Sequence, residues 1–94
     1  MIDTDTRFME LVGNKSAMKI FEFFATNSPY NYNKSQIAEA LSMGRGTLYK
    51  AWEILEDFDI LRTISSDGKC RFYVLNKENP ITKALLKLHS ILGQ

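Results

Sequence analysis

Cysteine, histidine and proline are scarce in this chain of 94 residues, with one, one and two of each. Because Cys70 is alone, no internal disulfide can form, so no covalent staple is expected and the chain reads as intracellular. A single histidine and a single cysteine also leave few acid–base or metal-ligand constellations. There is no His-x-x-x-His, no cysteine pair, no Gly-rich phosphate loop and no Gly-x-Ser-x-Gly elbow. Neither catalysis, a cofactor, a metal nor a small-molecule ligand is expected from such a chain. No apolar run approaches the roughly 18–20 residues that a membrane span needs. The opening residues, Met1 to Arg7, are acidic and lead into no apolar signal-peptide core. The chain is therefore expected in the cytoplasm, with no membrane partner. A charge excess is missing as well: twelve Lys and Arg face eleven Asp and Glu, for a net charge of +1. Overall charge thus makes no case for nucleic acid, and everything rests on where the charges sit.

What is present is an ordinary globular balance, 45% apolar and 24% charged, without repeats or low-complexity tracts. Residues 1–94 read as one domain, long enough to bury roughly 60–65% of its unfolded surface. Phe8, Met9, Leu11 and Val12 cluster on one face of a short helix over residues 5–12, closed by Gly13-Asn14. Asn14 then suits an N-cap for a helix over residues 15–26, whose Ala17, Ile20, Phe21 and Phe24 form a buried stripe. Asn27-Ser28-Pro29 stops it. Tyr30-Asn31-Tyr32 permits a brief strand, and the two tyrosines are expected to pack under a sheet. Asn33-x-x-Gln36 is a capping-box variant opening a helix through Leu41, with Ile37, Ala38 and Leu41 inward. After the turn Ser42-Met43-Gly44, a helix over residues 45–58 turns Leu48, Ala51, Trp52 and Leu55 inward. Two helices joined by a tight glycine-containing turn make a helix-turn-helix unit, residues 34–58.

Past Asp59 the apolar period shortens to about two. Residues 60–64 and 70–75 read as strands, and Asp67-Gly68 between them is a hairpin-turn signal. After the polar break at residues 76–79, Pro80 stands where a helix begins. The terminal helix, residues 81–92, gathers Ile81, Ala84, Leu85, Leu88, Ile91 and Leu92 on one broad face, with Lys83, Lys87 and Ser90 mainly opposite.

With its stripe turned inward, the 45–58 helix presents Arg45, Gly46, Tyr49, Lys50 and Glu53 outward. Arg45 has the fork to bond guanine bidentately, and Thr47 or Tyr49 can bond phosphates or bases. Gly46 would let a backbone approach closely. Between residues 31 and 50, Lys34, Arg45 and Lys50 are opposed only by Glu39. The far end of the same helix is acidic, with Glu53, Glu56, Asp57 and Asp59, so charge is polarised along its length. Arg62, Lys69 and Arg71 make the hairpin basic, which suits phosphate contact; the simpler role for such residues is to blunt strand edges. Six exposed apolar positions on the terminal helix form a patch that a monomer avoids. They are expected to form a two-fold dimer interface, joined by Ile2, Phe8, Met9 and Leu11 of the first segment. His89 reads as an interface or surface residue, Trp52 as core, and Cys70 as a small half-buried hydrophobe.

In order and spacing, the chain from Leu11 to Leu92 resembles the winged helix-turn-helix transcription regulators of bacteria and archaea, of the arsenic-repressor and multiple-antibiotic-resistance type. The matching segments are Ala17-Met18-Lys19-Ile20-Phe21, Ser35 to Leu41, Gly46 to Lys50, Leu55 to Leu61, and Gly68 with Tyr73 and Leu75. The resemblance implies a mainly α fold with a small β-hairpin wing at residues 60–75 (an α+β winged helix) and a C-terminal dimerisation helix. It further implies a homodimer that binds double-stranded DNA, with the second helix of the motif in the major groove and the wing on flanking backbone. A winged helix used purely for protein–protein contact is the alternative. Three departures from the family pattern stand out. Asp59 replaces the usual glycine after the recognition helix, Gly44 replaces the usual hydroxyl cap, and Cys70 alone does not supply the cysteine cluster of metal-sensing members. In 94 residues there is no room for a separate effector domain, so any signal is expected to act at the dimer interface or through a partner.

Overall fold

The computed structural model describes residues 6–28, 30–66, 68 and 70–93. Ile2, Pro29, Asp67 and Lys69, which carry expectations above, lie outside the described residues. Three helices lead into the motif: α1 (Arg7–Val12), α2 (Lys15–Thr26) and α3 (Lys34–Ala40). Then follow α4 (Arg45–Asp57), strands β1 (Leu61–Ser66) and β2 (Arg71–Leu75), and α5 (Pro80–Leu92). This is a mainly helical α+β winged helix whose wing is an antiparallel hairpin.

The local signals act as the sequence suggests. Thr6, Asn14, Asn33 and Asn79 each accept a backbone N–H at the head of a helix. At Asn33 the capping box is complete: its Oδ1 accepts from Gln36 N, and its own N–H donates to Gln36 Oε1, both at 2.8 Å. The first helix starts at Arg7, two residues later than expected, because Thr6 serves as its cap. Asp59 takes φ 58 and Ser42 takes φ 50, while Gly68 sits at φ 90 in the hairpin connection. Asp59 can hold the left-handed conformation because Asn76 Nδ2 bonds both its carbonyl and its Oδ2, at 3.2 and 3.1 Å.

The core joins Ala17, Ile20, Phe21 and Phe24 of α2 to Leu48, Ala51, Trp52 and Leu55 of α4, with Tyr73 and Leu75 of β2 beside them. Trp52 stands at its centre, edge-to-face with Phe24 at 6.1 Å and with Tyr73 at 5.0 Å between ring centroids. Each large apolar side chain so buried contributes about 1.5–3 kcal/mol. Tyr32 pairs with Tyr73 as an isolated bridge and packs on the rings of Phe23 and Phe24, as expected. Tyr30 does not pack: it is exposed. Leu11 is a core residue, because α1 lies over α2 and α4, so it cannot belong to an outer apolar face; Phe8 and Met9 remain exposed.

In the hairpin, Leu61 pairs with Leu75, Arg62 with Val74 and Thr63 with Tyr73, and a bulge at Ile64 shifts the register beyond. Ile60 is buried ahead of the strand and accepts from Asn76 N at 2.7 Å. Asn79 Nδ2 donates to the carbonyls of Phe58 and Asp59, both at 2.8 Å, while its Oδ1 caps α5. The polar stretch 76–79 is therefore a clasp over the end of α4, and not merely a break between elements.

Candidate nucleic-acid interface

Helix α4 is amphipathic in a way that sorts its residues cleanly. Leu48, Ala51, Trp52 and Leu55 are buried, and Arg45, Gly46, Thr47, Tyr49, Lys50 and Glu53 are exposed. At 3.6 residues per turn, Gly46 and Lys50 lie opposite the buried stripe, at the centre of the outward face. Gly44, at the head of the helix, offers no side-chain cap. A Cβ at Gly46 would meet nothing within 4 Å. Nothing among the described residues requires glycine there, although glycine costs a helix about 0.5–1 kcal/mol relative to alanine. What Gly46 supplies is clearance on the outward face.

Two further cations flank this face. Lys34, the first residue of α3, is half-buried, with Nζ 5.2 Å from the Tyr49 ring centroid and 5.6 Å from that of Trp52. Arg71, at the start of β2, is exposed and lines a cleft with Lys34, Ser35 and Cys70. It shares a strand face with Tyr73 and Leu75, the face turned towards the helices. Arg62 pairs with Val74, so it projects from the opposite face of the hairpin. There it reaches Glu78 at 3.6 Å. The fold thus brings Lys34, Arg45, Gly46, Thr47, Tyr49, Lys50 and Arg71 to one side and leaves Arg62 off it. The strand alternation that separates Arg62 from Arg71 becomes readable only once the register is known, because a bulge lies between them.

The four arginines divide in the same way. Arg7 bonds Glu10 and Asp57, at 3.0 and 3.2 Å, and stacks over the Phe58 ring at 4.2 Å. Arg62 has Glu78. Arg45 and Arg71 make no ion pair among the described residues. Arg7 also offsets part of the acidic end of α4, which lies farthest from Arg45.

Cys70 is exposed, contrary to the half-buried position expected of it, because it stands ahead of β2 at the mouth of the cleft. Asn33 Nδ2 donates to its Sγ at 3.7 Å. Among the described residues no group of His, Cys, Asp and Glu could hold a metal ion, and no helix is long and apolar enough to cross a membrane.

The terminal helix holds the other candidate surface. Ile81, Ala84, Leu88, Ile91 and Leu92 are exposed, Leu88 by 50%, Ile91 by 57% and Leu92 by 74%. Leu85 is half-buried with Leu86 against the core, and Thr82 is fully buried, so the inward edge of α5 is Thr82, Leu85, Leu86 and His89. His89 Nε2 lies 3.1 Å from Glu22 Oε2. The broad face expected from the sequence is therefore split, with Leu85 at the seam.

No protein-family model and no curated protein matches the chain. Solved structures do. An apo-form mutant of ZitR from Lactococcus lactis superposes with a TM-score of 0.59 at 19% identity, over 87% of this chain and 61% of that one. The chain thus spans less than two thirds of ZitR's length. A protein described as an ArsR family transcriptional regulator superposes with a TM-score of 0.58 at 18% identity, over 98% of this chain and 95% of that one. Identities this low establish the fold: the chain is a winged helix of the kind seen in these regulators.

Proposed function

We propose that residues 1–94 act as one DNA-binding domain of a homodimeric transcription regulator, without catalytic activity, that inserts α4 into the major groove of double-stranded DNA. The observation that carries this reading is the division of the arginines. Those away from the outward face of α4 are neutralised by carboxylates, whereas Arg45 and Arg71 stand exposed with no ion pair among the described residues. Exposed guanidinium groups that no described carboxylate pairs can bond guanine edges and phosphates. Arg45 and Thr47 form the reading set, with Tyr49 beside them on the same helix; Lys50 and Arg71 contact backbone, and Lys69 extends the wing contact. Gly46 gives the duplex room to approach. Two-fold half-sites call for a two-fold protein, and Ile81, Ala84, Leu88, Ile91 and Leu92, with Leu85 at the seam, supply its dimer face, which the exposed Phe8 and Met9 of α1 extend. The small net charge and the acidic end of α4 favour the other reading, a protein-interaction module.

Binding to duplexes of varied sequence, followed by fluorescence anisotropy, separates the two. With Arg45, Lys50, Lys69 and Arg71 in each subunit, a dimer touches about six to eight phosphates, giving a slope of log affinity against log salt of about −5 to −7. Arg45→Ala weakens a preferred site by about 1–3 kcal/mol and relaxes one base position, while Lys50→Ala weakens all sequences alike. A wild-type slope near zero replaces the DNA reading with the protein-interaction one.

A further inference from the structure

We propose that Lys34 and Arg71 form a clamp for a single phosphodiester of the bound duplex, and that the Tyr49 ring positions Lys34 and does not read bases. The proposal rests on the DNA-binding reading above and refines it.

Three features converge on the clamp. The first is the seat of Lys34. A lysine stem carries about 2 kcal/mol of rotamer entropy, most of which is lost when its ammonium is held. Here Nζ already stands over two aromatic rings, Tyr49 and Trp52, so much of that ordering precedes any ligand. The second is a backbone tie between the two elements that carry the cations. Tyr32 N donates to Tyr73 O at 3.1 Å, and Tyr73 N donates to Tyr32 O at 2.9 Å. Lys34 and Arg71 each lie two residues from that bridge, and the capping box at Asn33 fixes where the chain turns into α3. The third is the lining of the cleft they share: Asn33, Lys34, Ser35, Cys70, Arg71 and Tyr73, with no carboxylate among the described residues. Two cationic residues lining one cleft repel each other until an anion enters. An oxyanion with two free oxygens can accept from both at once, and the exposed Ser35 hydroxyl adds a donor. A phosphate in a polymer and a free phosphate share that chemistry, and we assign the duplex backbone as its source.

The aromatic seat gives Tyr49 a different task from its neighbours on α4. Its ring face touches the ammonium, and that contact needs the ring and not the hydroxyl. Tyr49→Phe should therefore bind every sequence as the wild type does, whereas Tyr49→Leu should weaken all sequences alike.

A double-mutant cycle on the full chain tests the clamp. Lys34→Met keeps the stem and removes the charge; Arg71→Ala removes the other half. Each single substitution should weaken duplex binding roughly tenfold. Neither single substitution should change the salt slope much, because the remaining cation still neutralises the shared phosphate. The double variant should lose less than the product of the two single losses and reduce the magnitude of the slope by about two in the dimer, one phosphate per subunit. Circular dichroism of the four proteins should be identical. If the two losses multiply and the slope falls by about four, the cations hold different phosphates and the clamp is overturned. A loss of base preference in Tyr49→Phe overturns the positioning role. If the wild type binds inorganic phosphate at Lys34 and Arg71, seen by NMR titration, but binds no duplex, the duplex is the wrong source and the DNA-binding reading falls with it.

Discussion

Helices α4 and α5 are each 13 residues long and both are amphipathic, yet they are completed differently. Helix α4 buries Leu48, Ala51, Trp52 and Leu55 against α2 and the wing, and what remains outside is polar. Helix α5 fully buries only Thr82, whose hydroxyl finds no hydrogen-bond partner among the described residues, and much of what remains outside is apolar. Their starts differ in the opposite sense. Helix α5 opens on an Asn79 cap with Pro80 in its first turn. Helix α4 opens on a bare Gly44, two residues after Ser42 in the left-handed region. A helix with a full stripe of core contacts tolerates a poor start, because packing outweighs capping by several kcal/mol. A well-started helix with little core contact needs something else to cover it. The contrast teaches that capping places a helix and packing finishes it, and that α5 is placed but unfinished within one chain.

Removing the packing of α4 should have the largest effect. Trp52→Ala takes the centre from the aromatic group shared with Phe24 and Tyr73 and should cost about 3–5 kcal/mol in urea denaturation. A loss below about 1 kcal/mol would mean that α4 is not held by its stripe. An effect of intermediate size is expected at α5. If a second copy covers it, the wild-type unfolding midpoint rises with protein concentration. Leu88→Glu should abolish that rise and give monomer in sedimentation equilibrium, since a carboxylate buried in an apolar seam costs several kcal/mol. Wild-type protein that is already monomeric at micromolar concentration would leave α5 as exposed as it stands. The smallest effect belongs to the start of α4. Ser42→Gly relieves a left-handed serine and should stabilise the chain by about 1 kcal/mol. Asp59→Gly should gain less, because it also forfeits the bond from Asn76.

Features governed by neighbours within four or five residues were legible in the sequence. The stripes of α2 and α4, the caps at Asn14 and Asn33, the place of Pro80 and the conversion from helix to hairpin at Asp59 all follow from periodicity and local hydrogen bonding. The outward set Arg45, Gly46, Tyr49 and Lys50 follows too, because a buried stripe dictates its opposite face. The terminal helix was only half legible. Six apolar residues span more than one face, and a periodicity cannot say which edge meets the core. Cys70 and Leu11 misled for a related reason: exposure depends on what lies above a residue, and residue type records only a preference.

By itself, then, the sequence determined the elements, their order and the outward face of α4, since each is set by contacts close along the chain. Tertiary structure alone decided the rest. It put Arg62 and Arg71 on opposite faces of the wing, because a strand's facing depends on its register with a partner. It made Asn76 and Asn79 a clasp across 17 to 21 residues of chain. It also seated Lys34 on Tyr49 and Trp52, because the start of α3 meets α4 only after both have packed on the same core. These contacts join residues far apart in the chain, and no spacing rule reaches across such a separation.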